Sequence, residues 1–277
     1  MIYITNLLLL VVISVTCMCN AVAGESSAFN YSANVGLASD YSSRGLRLNW
    51  RNPALQGGAE LQRASGLYLG TWASQVSDRF FANGKFEIDL YAGQRAKFAH
   101  VFNYDIGIDR YFYPGANYSH AVPAAASQTY DTTEAILSLG TGWFSLKYYY
   151  TLTDYYGYNA TSVPVGPWNS GITGGIRPGG DTRGSTYVEA NVTSGLSDRF
   201  GLQFHAGHQT IRNSVNLNYS DYRVGLTADF RSGWIGVLSL STTRNAHIFR
   251  DYLAVDGSGQ MMDPAATHWV ASISRTF

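Results

Sequence analysis

The chain has 277 residues, a formal net charge of +0 and only 14% charged side chains, against 20 Tyr and 29 Gly. Balanced charge leaves no basic surface for a nucleic-acid partner. With both cysteines at Cys17 and Cys19, everything after them lacks a disulfide framework, a thiolate nucleophile and a Cys-based zinc site.

The first segment is an apolar run, Leu7 to Val15, followed by Ala21-Val22-Ala23. Small residues at that spacing predict a signal peptide over 1–23, cleaved after Ala23. Ser14-Val15-Thr16 ahead of Cys17 is a poor lipobox. No later stretch is long enough for a membrane helix, so a membrane-spanning reading requires a barrel.

After the leader the sequence divides into segments of about ten residues that alternate with period two, as tilted membrane strands do. Phe29, Tyr31, Ala33, Val35 and Leu37 alternate with Asn30, Ser32, Asn34, Gly36 and Ala38. The next segments are Pro53–Arg63, Gly66–Val76 and the run where Phe86, Ile88 and Leu90 oppose Lys85, Glu87, Asp89 and Tyr91. A turn is predicted near Arg95–Lys97, then a strand over Phe98–Arg110. Thr132–Gly140 and Gly142–Thr153 form a pair about Gly140-Thr141-Gly142. Further strands follow at Thr186–Thr193, Phe200–Ala206, Tyr222–Phe230 and Gly233–Arg244.

The last segment, Thr267 to Phe277, places Trp269, Ala271, Ile273, Arg275 and Phe277 on one face. Val270, Ser272, Ser274 and Thr276 lie on the other. An aromatic terminal strand suits a barrel, whose last strand pairs with its first so that no unpaired edge meets lipid. It is also similar to the C-terminal assembly signal of outer-membrane proteins, apart from Arg275, which can snorkel to the headgroups.

The connections alternate between long and short. Asp40–Asn52, Ser77–Gly84, Phe112–Asp131, Asp154–Thr182, Thr210–Tyr219 and Asn245–Ala266 are the longer set, with tight turns between them. The predicted fold is therefore all-β: a transmembrane antiparallel up-and-down β-barrel of about 12 strands over 24–277, with short periplasmic turns and long extracellular loops.

Several stretches then resemble the TorF family of porin-like proteins. These are Ser39-Asp40-Tyr41-Ser42-Ser43-Arg44-Gly45, Pro53-Ala54-Leu55-Gln56-Gly57-Gly58 and Gly66–Ser74, together with Glu87–Gly93, Tyr111–Gly115 and the Tyr-rich Lys147–Gly157. The likeness is strongest from Ser39 to Gly157. It implies an outer-membrane barrel acting as a channel and supplies no catalytic residues.

With the apolar face toward lipid, the opposite face carries Glu60, Lys85, Glu87, Asp89, Asp105, Asp109, Glu134, Lys147, Glu189, His205, Arg223 and Asp229. The acidic excess predicts passive diffusion of small hydrophilic solutes or ions with a mild cation preference. The alternative is that these charges pair across strands and fill a closed barrel whose loops bind a ligand or partner. A barrel hydrolase is a third reading, with Asp89 and Asp105 on adjacent strands as its acid pair, although no Gly-x-Ser-x-Gly elbow occurs.

His205 and His208 fall on opposite strand faces and do not make a metal site. His100, His120, His247 and His268 are expected at solvated ends and loops. Gly171 to Gly184 reads as a flexible loop and not a phosphate cradle. No cofactor is called for. The expected partners are outer-membrane lipid, small solutes, and the barrel-assembly machinery through Phe277.

Overall fold

The computed structural model of the chain describes residues 29–98, 101–163, 166–169 and 172–277. The predicted leader and His100 fall outside them. Twelve strands form a closed antiparallel barrel. In chain order they are β1 (Phe29–Ala38), β2 (Ala54–Arg63), β3 (Leu67–Gln75), β4 (Phe86–Phe98), β5 (Phe102–Phe112) and β6 (Thr132–Gly140). The second half consists of β7 (Phe144–Thr151), β8 (Thr186–Gly195), β9 (Phe200–Thr210), β10 (Tyr219–Arg231), β11 (Trp234–Arg244) and β12 (His268–Thr276).

Each strand pairs with the next. The ring closes between β1 and β12, with Asn34 opposite Thr276 and Ala38 opposite Ser272. Closure removes the edges that an open sheet would leave.

The alternation read from the sequence sets which way the side chains point. Leu37, Leu69, Leu90, Ile106, Leu137, Phe204, Leu238 and Trp269 are exposed on the outer wall. So continuous an apolar surface is far larger than a soluble monomer tolerates, and it is the surface of a lipid-facing barrel. Phe98, Phe102, Trp143, Phe200, Phe230 and Phe277 ring the end that carries the short turns, where aromatic girdles sit in such barrels. Arg275 belongs to this ring: its guanidinium lies 4.7 Å from the Phe277 ring centroid and 5.7 Å from that of Trp234. Cation–π contact with both rings lets the charge remain at the interface.

One boundary differs from the sequence reading. The predicted turn at Arg95–Lys97 is strand: β4 runs on to Phe98, with Arg95 opposite Asp105, Ala96 opposite Tyr104 and Lys97 opposite Asn103. Gln94-Arg95-Ala96-Lys97 looks like a turn because its one outward apolar side chain is the small Ala96, between the polar Gln94, Arg95 and Lys97.

The six longer connections gather at the other end and share one core. Leu48, Trp50, Phe80, Phe81, Tyr113, Tyr118, Tyr130, Tyr155, Ile211, Phe249, Tyr252 and Met262 are all buried there. Phe81 stacks on Tyr113 at 4.2 Å, joining two connections, and Tyr118 stacks on Tyr130 at 4.0 Å within one. Such aromatic pairs contribute about 0.5–1.5 kcal/mol beyond area burial. Short ladders brace the cap: Ser42–Ser43 with Leu46–Arg47, Ile172–Ile176 with both Gly166–Asn169 and Ser214–Val215, and Tyr252–Leu253 with Met261–Met262. The expectation of a flexible loop over Gly171 to Gly184 is thus corrected over Ile172–Ile176, which is paired on both sides.

Candidate functional site

The inward faces of β2 to β10 carry nearly all the charge of the bore, in three groups. Nearest the short turns, Arg95 donates from both terminal nitrogens to Glu60, at 2.7 and 3.1 Å. Asp105 lies 3.4 Å from Arg95 Nε and accepts a 2.6 Å hydrogen bond from Tyr68. Register creates this group, because Asp105 on β5 faces Arg95 on β4. Lys97 and Asn103 continue the same faces toward open water.

On the β7–β10 side, Tyr187 Oη donates to Asp221 Oδ2 at 2.9 Å. His205 Nε2 is 2.8 Å from Asp221 Oδ1, and its Nδ1 is 2.8 Å from Asn191 Oδ1. Gly207 makes room for this: a Cβ there would stand 2.1 Å from the Tyr187 hydroxyl. Lys147 Nζ reaches Glu189 at 3.5 Å. Arg223 faces the same group, and its Nη2 has no hydrogen-bond partner among the described residues.

Beneath the cap lies the third group, where Glu87, Asp89, Asp109 and Glu134 converge and all are buried. Asp109 and Glu134 sit directly opposite on β5 and β6. Tyr41, from the first long loop, donates to Glu87 Oε1 at 2.9 Å. The cation here is Arg44, also from that loop. It bridges both carboxylate oxygens of Glu134, with Nη1 to Oε1 at 3.2 Å, and donates to Gln209 Oε1 at 2.9 Å. Asp89 Oδ1, Asp109 Oδ1 and Glu87 Oε2 have no hydrogen-bond partner among the described residues. Carboxyl groups therefore outnumber the cation that faces them.

The remaining wall is different in kind. The inward positions of β11, β12 and β1 carry no Asp, Glu, Lys or Arg: Val237, Ser239, Ser241, Val270, Ser272, Ser274, Ser32, Asn34 and Gly36 line most of that wall, with His268 at its cap end. The bore therefore has a charged side and a neutral side.

Of the predicted lumen residues, Glu60, Glu87, Asp89, Asp105, Asp109, Glu134, Lys147, Glu189, His205 and Arg223 face inward within these groups. Asp229 lies at the short-turn rim, where its Oδ1 accepts from the Arg231 amide at 2.7 Å and braces the turn. Lys85 precedes Phe86, outside the strand wall, and is exposed. Asp89 and Asp105 do not form an acid pair: their register partners are Tyr111 and Arg95. His208 is exposed on the outer face, opposite to His205. His268 corrects its expected solvated place, being buried with Nε2 3.0 Å from Ser42 Oγ.

Sequence reasoning missed Arg44, Tyr68, Arg95, Tyr187, Gln209 and Asp221. Arg95 falls in the predicted turn, and Asp221 lies one residue outside the predicted strand. Arg44 lies in a loop with no periodicity to mark it. Its one signal is Arg-Gly between the short pairs Ser42-Ser43 and Leu46-Arg47.

Outside the strands, burial pushes the Asp40 carboxyl up from 3.8 to about 6, with Arg47 at 3.5 Å opposing the shift.

Among solved structures the chain is similar to the KdgM porin, with a TM-score of 0.48 and 8% identity over 89% of this chain and 99% of that one. It is also similar to the NanC porin, with a TM-score of 0.49 and 8% identity over 89% and 98%. The toluene transporter TodX of P. putida gives a TM-score of 0.41 and 8% identity over 91% and 90%. No curated protein matches. A family model described as "Bacterial protein of unknown function (Gcw_chp)" matches residues 22–277, and the chain belongs to that family.

Proposed function

We propose that the protein is an outer-membrane channel for passive diffusion of small hydrophilic solutes, with a preference for cations. The observation that carries this reading is a polar, acid-rich bore inside an apolar wall. The bore is accessible to water at the short-turn end and bounded on one side by uncharged small residues. Solutes would pass along the neutral wall while the facing carboxylates raise the local concentration of cations. No covalent step is involved. The short turns would face the periplasm and the cap the exterior, after removal of 1–23 and insertion by the barrel-assembly machinery. The resemblance of Ser39–Gly157 to the TorF proteins is in keeping with this reading.

Single-channel conductance of the refolded protein in a planar bilayer under a salt gradient tests it. Steady openings with a reversal potential on the cation side are expected. Asp105→Asn, which removes a half-exposed carboxylate from the inner group, should move that potential toward zero. A correctly folded barrel that never conducts would sink the channel and favour a closed barrel acting through its cap.

A further inference from the structure

The Arg44 side chain occupies a site with more structure than an ion pair requires. Its guanidinium is held edge-on by both oxygens of Glu134 and by Gln209 Oε1. Its faces meet Tyr187 at 4.4 Å, Tyr149 at 5.0 Å and Tyr155 at 5.8 Å from the ring centroids. A carboxylate fork with aromatic faces is matched by a planar guanidinium and not by an ammonium.

The two polar members of the cage are also held by the barrel wall. Thr151 Oγ1 donates to Glu134 Oε1 at 3.2 Å. Gln209 Nε2 donates to the Thr186 carbonyl at 3.1 Å, which turns Oε1 toward the cage. Glu134 and Gln209 are almost fully buried, and they come from β6 and β9.

The occupant arrives on a tether. Ser42–Ser43 and Leu46–Arg47 form a hairpin whose two tip residues are Arg44, φ 47°, and Gly45, φ 77°. Both tip positions are left-handed, a geometry that Asn-Gly adopts cheaply and Arg does not. Strain of this kind at a tip marks a side chain kept for what it does. Gly45 is pressed so close to the wall that a Cβ would stand 2.6 Å from the Asp221 side chain. The hairpin hangs from the β1–β2 connection yet reaches β6, β9 and β10, so it crosses the bore. Glu87, Asp89 and Asp109, of the same group beneath the cap, each keep an oxygen with no hydrogen-bond partner among the described residues.

We propose that this cage is a binding site for alkylguanidinium cations, filled in the resting protein by Arg44, and that solutes of this class cross the cap by taking its place. Passage by exchange rests on the channel reading; the site itself does not.

The test is calorimetric titration of the detergent-refolded full chain with ethylguanidinium chloride and with ethylammonium chloride at matched ionic strength. Arg44→Ala should bind ethylguanidinium at least tenfold more tightly than ethylammonium. It should also bind it at least tenfold more tightly than the parent, in which Arg44 competes. Glu134→Gln added to Arg44→Ala should abolish the binding. Should Arg44→Ala not fold, Arg44→Gln keeps a hydrogen-bonding tip and is expected to show the same preference. A folded variant that binds neither cation, or both equally, overturns the site. Binding without conductance upholds the site and removes the channel; conductance in a variant that binds neither does the reverse.

Discussion

Asp40 shows how a single buried carboxyl links the first long loop to pH. It is nearly inaccessible, and Oδ1 and Oδ2 have no hydrogen-bond partner among the described residues, although Arg47 stands 3.5 Å away. Burial outweighs that partner and pushes the folded pKa up from 3.8 to about 6. Between these values the folded loop holds a proton that the open loop has lost, so stability falls as pH rises through that window and is level above it. Hydrogen exchange of residues 39–52, corrected for intrinsic rates, should speed up between about pH 4 and 6. Asp40→Asn should flatten the dependence, and unchanged exchange in the parent would refute the linkage. Nothing in the sequence flagged Asp40, because burial in a loop leaves no periodic trace. Glu60, Asp109 and Glu134 were legible, because on a strand the neighbours at i±2 reveal which way a side chain points. The limit of that method shows at Asp89 and Asp105. Their common face was correct, but their distance depended on register, which alternation alone does not set.

At the scale of elements, β12 carries both the closing ladder and the chain's final aromatic. The Phe277 amide donates to the Ala33 carbonyl at 2.8 Å, and its ring supports Arg275 at the interface. Deleting Phe277 removes both contacts. The folded fraction reaching the outer membrane should drop several-fold, read as the share of chain that migrates as the compact form on unheated gels. Unchanged yield would show that the last residue does not matter for assembly. This strand was legible from its sequence down to the odd place of Arg275. The β4–β5 turn was not, since polar residues at a barrel rim and polar residues in a turn look alike.

The whole molecule has two bodies of different construction, a wall held by backbone ladders and a cap held by side chains. Much of the Tyr and Phe content builds the cap: Tyr113, Tyr118 and Tyr155 are buried there, in irregular segments where no sequence pattern shows which rings meet. Phe81, fully buried, lies against Tyr113, Tyr130 and Tyr156, which come from two other loops. Phe81→Ala should cost the cap about 3–5 kcal/mol while leaving the ladders intact. Chymotrypsin should then cut several loops together, with the compact gel form of the barrel preserved. Cleavage confined to Ser77–Lys85 would mean that the loops are independent.

The neutral side of the bore coincides with the seam. β11, β12 and β1 turn no Asp, Glu, Lys or Arg side chain inward, whereas the strands between them bring Glu against Arg and Asp against His. In a chain that inserts strand by strand, β12 meeting β1 is the last pairing to form. The order of events is thereby separated by chemistry. Charged groups in the bore can find their partners while the sheet is still open and wet, and on the bore side the final ladder sets Asn34, Gly36 and Ala38 against Thr276, Ser274 and Ser272. Closure of that side then needs no ion to leave water.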